Sequence, residues 1–163
     1  MRGGFALNDW LVVHGWLVLK SDAPYSPDNV DWSRTSAWAD GGYVGRVHFN
    51  MRGREPMGIV EDAEALAQAI AAADAPVPLV VKRCDATYST LSGYPPALLV
   101  EAGGLEIRCL GSTGHASLVV RDNDTGPDDA NHGRDGVVVS SSTHFGAEAS
   151  IYDIAPFVRE QMA

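Results

Sequence analysis

The sequence predicts an α/β chain with a small antiparallel hairpin region, and three observations carry that reading. Residues 61–73 are Ala-rich, lack Gly and Pro, begin acidic, and place Leu66, Ile70 and Ala73 at i, i+4 and i+7, the spacing of one helical face. Residues 46–50 alternate Val47 and Phe49 with Arg46, His48 and Asn50, the period of two of a half-buried strand. Residues 97–101 and 105–110 are two apolar runs flanking Gly103-Gly104, a hairpin signal because glycines supply the positive φ of tight turns.

The other elements follow in chain order. Asn8 precedes Asp9-Trp10-Leu11-Val12-Val13-His14-Gly15, which reads as an Asn N-cap, an acidic first turn, a short helix and a Gly stop, with Leu7, Trp10, Leu11 and His14 on one face. Residues 16–20 suit a short extended piece, and residues 21–29, rich in Pro, Ser, Asp and Asn, break regular structure. Residues 36–39 are expected to form a strand joined to 46–50 through Asp40-Gly41-Gly42, after which Met51-Arg52-Gly53-Arg54-Glu55-Pro56 turns the chain away. Residues 79–83, 117–121 and 137–140 read as further strands, and residues 122–136 as an irregular acidic loop. A last helix starts near Asp153, with Pro156 in its first turn where a missing N–H does little harm.

A chain of 163 residues that is 45% hydrophobic and 20% charged has enough apolar material for one globular domain spanning residues 1–163, and no linker or internal repeat divides it. With 12 Lys plus Arg against 21 Asp plus Glu, the formal net charge is −9, which repels phosphate backbones and anionic lipid headgroups. Neither nucleic acid nor a membrane is an expected partner. No apolar run approaches the roughly 20 residues of a membrane span, and residues 1–20 lack the basic start and cleavage site of a signal peptide, so the expected compartment is the cytoplasm. Cys84 and Cys109 fit no metal-ligand spacing and read as free thiols in or near strands, a single disulfide being the alternative.

Chemistry-bearing residues concentrate in the acidic loop. Asp122, Asp124, Asp128, Asp129 and Asp135 surround His132, and hard oxygen ligands around one imidazole suit a divalent metal, a solvated acidic loop being the alternative. An EF-hand is excluded, because its sixth and twelfth positions would be Pro127 and Gly133. His14, His48, His115 and His144 read as structural, with no H-x-x-x-H pair among them. Ser140-Ser141-Ser142 lies in no G-x-S-x-G elbow, and neither a Walker loop nor G-x-G-x-x-G is present. Arg54 suits either a bidentate phosphate clamp or a surface pair with Glu55.

Five segments together resemble the C-terminal half of the alkaline phosphatase superfamily, in its type I phosphodiesterase/nucleotide pyrophosphatase branch. They are Gly4-Phe5-Ala6-Leu7-Asn8-Asp9-Trp10-Leu11, Val30-Asp31-Trp32-Ser33-Arg34-Thr35-Ser36-Ala37, Phe49-Asn50-Met51-Arg52-Gly53-Arg54-Glu55-Pro56-Met57-Gly58-Ile59-Val60, His132-Gly133-Arg134-Asp135-Gly136-Val137 and Ser150-Ile151-Tyr152-Asp153-Ile154-Ala155-Pro156. The resemblance implies an α/β/α sandwich and a two-metal site, usually zinc, in which an Asp, Ser or Thr nucleophile attacks phosphorus while the metals hold the attacking and leaving oxygens. It makes His132 a metal ligand, with Asp135 and Gly136 shaping its loop.

The departures define the functional expectation. The nucleophile strand, the first Asp ligand and the Asp-His-Gly motif of full-length members are absent from these 163 residues, and the final helix is short. One imidazole does not assemble a catalytic zinc site, which takes at least three protein ligands. The chain is therefore expected to be the C-terminal portion of a metal-dependent phosphohydrolase, inactive alone, with no catalytic residue of its own and no residue assigned to substrate. Zinc or another divalent metal at His132 is the expected cofactor, and the expected partner is a chain carrying the N-terminal half of the domain, or a second copy of itself. The alternative is a non-catalytic binding or interaction module derived from that fold.

Overall fold

The computed structural model describes residues 2–121, 130, 135–141, 146 and 149–162, and the chain divides into two units, Met1–His132 and Gly133–Ala163. The first unit contains β1 (Gly4–Ala6), α1 (Leu7–Val13), β2 (Ala37–Asp40), β3 (Gly45–Phe49), α2 (Ala63–Ala72), β4 (Leu79–Arg83), α3 (Cys84–Thr87), β5 (Leu98–Ala102), β6 (Arg108–Leu110) and β7 (Val119–Val120). The second contains α4 (Ile154–Gln161). The class is mixed α/β, with a three-stranded sheet in the order β6-β1-β7 and a four-stranded sheet in the order β2-β3-β5-β4. In the first sheet β1 runs parallel to β6 and antiparallel to β7; in the second every neighbouring pair is antiparallel.

Alternation builds the larger sheet. Gly45, Val47 and Phe49 of β3 and Leu98, Val100 and Ala102 of β5 are buried, while the residues between them are not. They join Phe5, Leu7, Trp10, Leu11, Leu17 and Ile70 in one apolar core. Asp62 starts α2 by accepting a hydrogen bond from Ala65 N at 2.9 Å, and α2 turns Ala67 and Ile70 inward. The Trp10 indole donates to the Asp74 carbonyl at 2.8 Å, so α1 is tied to the chain leaving α2.

Asn8 is not an N-cap. The cap position of α1 is Ala6, which makes no side-chain bond, and Asn8 lies fully buried in the first turn. Its Oδ1 accepts from Ala39 N at 2.8 Å, and its Nδ2 donates to Ala39 O at 2.9 Å and to Gly111 O at 2.6 Å. The side-chain amide thus pairs with the outer edge of β2 as a neighbouring strand would. Beside it the sheets meet at Gly42 and Cys109, whose N–H and C=O groups exchange two 2.9 Å bonds. A Cβ on Gly41 would lie 2.6 Å from Gly111 N, so glycine is what lets these backbones approach. Thr35 and Asn50 are likewise buried. Asn50 Nδ2 reaches the carbonyls of Trp32 and Thr35 at 2.8 Å and of Met57 at 3.0 Å.

Three other expectations are corrected. The runs around Gly103-Gly104 do not form a hairpin ladder: Gly103, Gly104 and Leu105 all have positive φ, and only an Ala102–Ile107 bridge joins the two sides. Both edges of β5 are taken, by β3 and β4, so β6 pairs with β1 instead. Residues 16–20 form no strand beyond a Leu19–Val30 bridge. Residues 137–140 form no strand, and Val137 and Val139 are 93% and 91% exposed; β-branched composition is a propensity that tertiary context decides. In the second unit Ser150 caps the turn leading into α4, its N–H donating to Asp153 Oδ2 at 2.7 Å. Among the described residues no helix is long and apolar enough to cross a membrane.

Replacing Asn8 by Ala leaves the Ala39 N–H, the Ala39 C=O and the Gly111 C=O without their buried partner. Asn8→Ala is expected to lower unfolding free energy by about 2–4 kcal/mol, against less than about 0.5 kcal/mol for Gln68→Ala on the exposed face of α2. Urea denaturation of the two variants checks this.

Candidate functional site

His132, the expected metal ligand, lies outside the described residues, as do Asp122, Asp124, Asp128, Asp129, His144 and Ser142. Asp135 and Gly136 are described and exposed, and nothing within 4 Å of Gly136 would obstruct a side chain there. Among the described residues no group of three or more His, Cys, Asp or Glu side chains is placed to hold a metal.

Several other polar side chains of the described residues are engaged within the fold. Arg54 Nε donates to Glu55 Oε1 at 2.7 Å and its terminal nitrogen to Phe49 O at 2.7 Å, so the pairing with Glu55 that the sequence offers is formed. Arg52 pairs with Glu61 at 2.9 Å. His14 stacks on Trp16, with ring centroids 4.9 Å apart. Arg83, at the end of β4, bonds both Asp85 and Glu64, and its hydrogen bonds hold the Asp85 carboxyl below the usual carboxylate range. Cys84 and Cys109 are free and buried, and burial pushes the Cys109 thiol up to about 11.

Two groupings have chemical potential. One is a cleft of about 440 Å3 whose lining includes Trp38, Asp40, His48, Arg54, Glu55 and Tyr94. The strand period places Trp38 and His48 opposite each other across β2 and β3, and their rings stack at 5.5 Å. His48 Nε2 lies 3.4 Å from Asp40 Oδ2. Burial lowers the imidazole pKa, against the opposing pull of Asp40. Glu55 Oε2 is buried there without a hydrogen-bond partner among the described residues.

The other grouping is built by α1 and the loop after β6. His115 Nδ1 lies 2.6 Å from Asp9 Oδ2, and His115 Nε2 lies 3.3 Å from Ser112 Oγ. Asp9 also accepts from Gly114 N at 2.8 Å and His115 N at 3.2 Å. Gly114 has φ +91°, a left-handed conformation that favours glycine and turns both N–H groups toward the carboxylate. Asp9 and His115 are 106 residues apart, so no linear motif joins them, and the sequence alone leaves His115 reading as structural.

Comparisons with protein-family models, curated proteins and solved structures gave no match. The fold class is mixed α/β.

His48 gives a pH test. Burial makes its imidazole harder to protonate in the fold than in the unfolded chain, where it takes a proton near pH 6.5, so the unfolded state binds more protons as the pH falls through that value. Stability from this group is present above that pH and is lost on acidification. Urea midpoints measured between pH 7 and 5 should fall less steeply in His48→Gln than in the parent chain; an equal or steeper fall contradicts the assignment.

Proposed function

We propose that the chain is the C-terminal portion of a metal-dependent phosphohydrolase domain, phosphodiesterase/nucleotide pyrophosphatase-like, with the α/β/α sandwich of the alkaline phosphatase superfamily, and that it is silent toward phosphoric esters on its own. The observation that supports this reading most is what its motif residues do. Asn8, Thr35 and Asn50, from the three N-terminal segments of the resemblance, are all buried and hydrogen-bonded. Asn50 ties the second and third segments together through Trp32, Thr35 and Met57. Asn8 ties the first to β2, whose first residue, Ala37, ends the second. The shared residues are thus spent on a framework, as expected of the part of a domain that holds a site rather than reacts in it.

His132 would be one ligand of the metal, with carboxylates of its own loop as neighbours, and a bound zinc would supply Lewis-acid charge for a phosphoryl group. The sequence lacks the family's nucleophile strand, its first Asp ligand and its Asp-His-Gly motif, and a partner chain carrying the N-terminal half of the domain would supply the nucleophile and the ligands that go with them. The exposed Val137 and Val139 support such a partner, since an apolar β-branched run is normally covered. The same exposure favours the second reading, a non-catalytic interaction module of that fold.

Purified chain incubated with bis-p-nitrophenyl phosphate and zinc should release no nitrophenolate above a zinc-only control. Zinc-dependent turnover that disappears in His132→Ala would show that the chain carries a working site by itself and would overturn the proposal.

A further inference from the structure

We infer that Ser112, His115 and Asp9 form a metal-independent acyl-transfer site for small, uncharged carboxylic esters, an activity separate from the phosphohydrolase reading. The argument begins with proton placement. A carboxylate only accepts hydrogen bonds, so the 2.6 Å contact between Asp9 Oδ2 and His115 Nδ1 puts the neutral ring's proton on Nδ1. Nε2 then presents its lone pair to Ser112 Oγ at 3.3 Å, the arrangement in which an imidazole takes a hydroxyl proton.

Exposure divides these residues by role. The Asp9 and His115 side chains are only 18% and 16% accessible, whereas Ser112 is exposed, so the base is shielded and the nucleophile is open to substrate. Asp9 is a positioning residue, fixed by two backbone N–H groups as well as by the ring. Clamping the turn requires only those two N–H groups; the bonds from both ring nitrogens to Asp9 and Ser112 go beyond that need. A cleft of about 560 Å3 is lined by Asp9, Thr113 and Gly114, the chain neighbours and partner of Ser112 and His115, which themselves lie outside its lining, and by Val12, Lys20 and Asp22. Val12, Leu17 and Val18 give this mixed lining an apolar stretch on which a short acyl group can rest, and the net charge of −9 disfavours anionic esters.

The step balances without a co-reactant other than water. Ser112 Oγ bonds to the ester carbonyl carbon, the carbon–oxygen bond to the leaving group breaks, and the serine proton passes through His115 Nε2 to the departing alkoxide. Water, activated by the same nitrogen, then releases the carboxylic acid and restores Ser112.

The full-length chain is treated with a fluorophosphonate probe, in which serine oxygen displaces fluoride from phosphorus, and the adduct is mapped by peptide mass spectrometry. p-Nitrophenyl acetate cleavage is followed in parallel with a chelator present, which separates this activity from any zinc-dependent one. We expect an adduct on Ser112 and ester turnover that is lost in Ser112→Ala. Loss of the base in His115→Ala should slow labelling at least about 100-fold, with recovery on adding free imidazole. Asp9→Asn should also slow it, but without recovery, because the ring still occupies its slot. Ser112 is exposed and its replacement spares the core, so the mapped adduct and the Ser112→Ala result decide the matter even should His115→Ala fail to fold. No adduct on Ser112, or ester turnover unchanged in Ser112→Ala, overturns the proposal.

Discussion

The buried amide of Asn8 is the interaction on which the first unit depends. Strand β2 is the edge of the four-stranded sheet, and an edge strand leaves backbone groups that burial would make costly. Asn8 takes both groups of Ala39 and, with its second N–H, the carbonyl of Gly111 just past β6. One side chain therefore fixes α1 against one sheet and the exit of the other. The close approach of Gly41 to Gly111, the paired bonds of Gly42 with Cys109 and the packing of Leu7 on Gly45 all need that placement. A side chain at position 41 would collide with the backbone of Gly111 and Cys109, and one at position 45 with the side chains of Leu7 and Cys109.

The same turn of helix organises the chemistry. Asn8 holds Gly111, and its neighbour Asp9 holds Gly114 and His115, so consecutive residues of α1 anchor both ends of the loop that carries Ser112. The arrangement of Ser112, His115 and Asp9 is thus a consequence of the packing that closes the β2 edge. A rigid support is what a proton-relay geometry requires, because its efficiency is lost over fractions of an ångström. The cleft beside Trp38 and His48 arises differently, from cross-strand pairing of β2 with β3, and its imidazole is tuned by burial.

Local signals were legible in the sequence and tertiary ones were not. Strands β3 and β4 and helix α2 agree with their predicted spans closely, because period and composition are local. Asn8 was misread because the residue type that caps helices is also the one whose amide can mimic a strand edge. The Gly103-Gly104 turn was recognised, but the hairpin was not formed, since the choice between β5 and β1 as partner of β6 depends on edges filled by β3 and β4. Residues 137–140 have strand composition but do not take strand conformation. Of the candidate site residues, His132 lies outside the described residues, and the pairing of Asp9 with His115 spans too much sequence to leave a motif.

The central physical claim is that Asn8 closes the β2 edge as part of the cooperative core. Native-state hydrogen exchange at the Ala39 amide tests it most directly, because that N–H donates to Asn8 and to no strand. Exchange of Ala39 only through global unfolding, at the same free energy as the β3 and β5 core amides, is the result the account predicts. Exchange of Ala39 through a local opening well below the global unfolding free energy would contradict it.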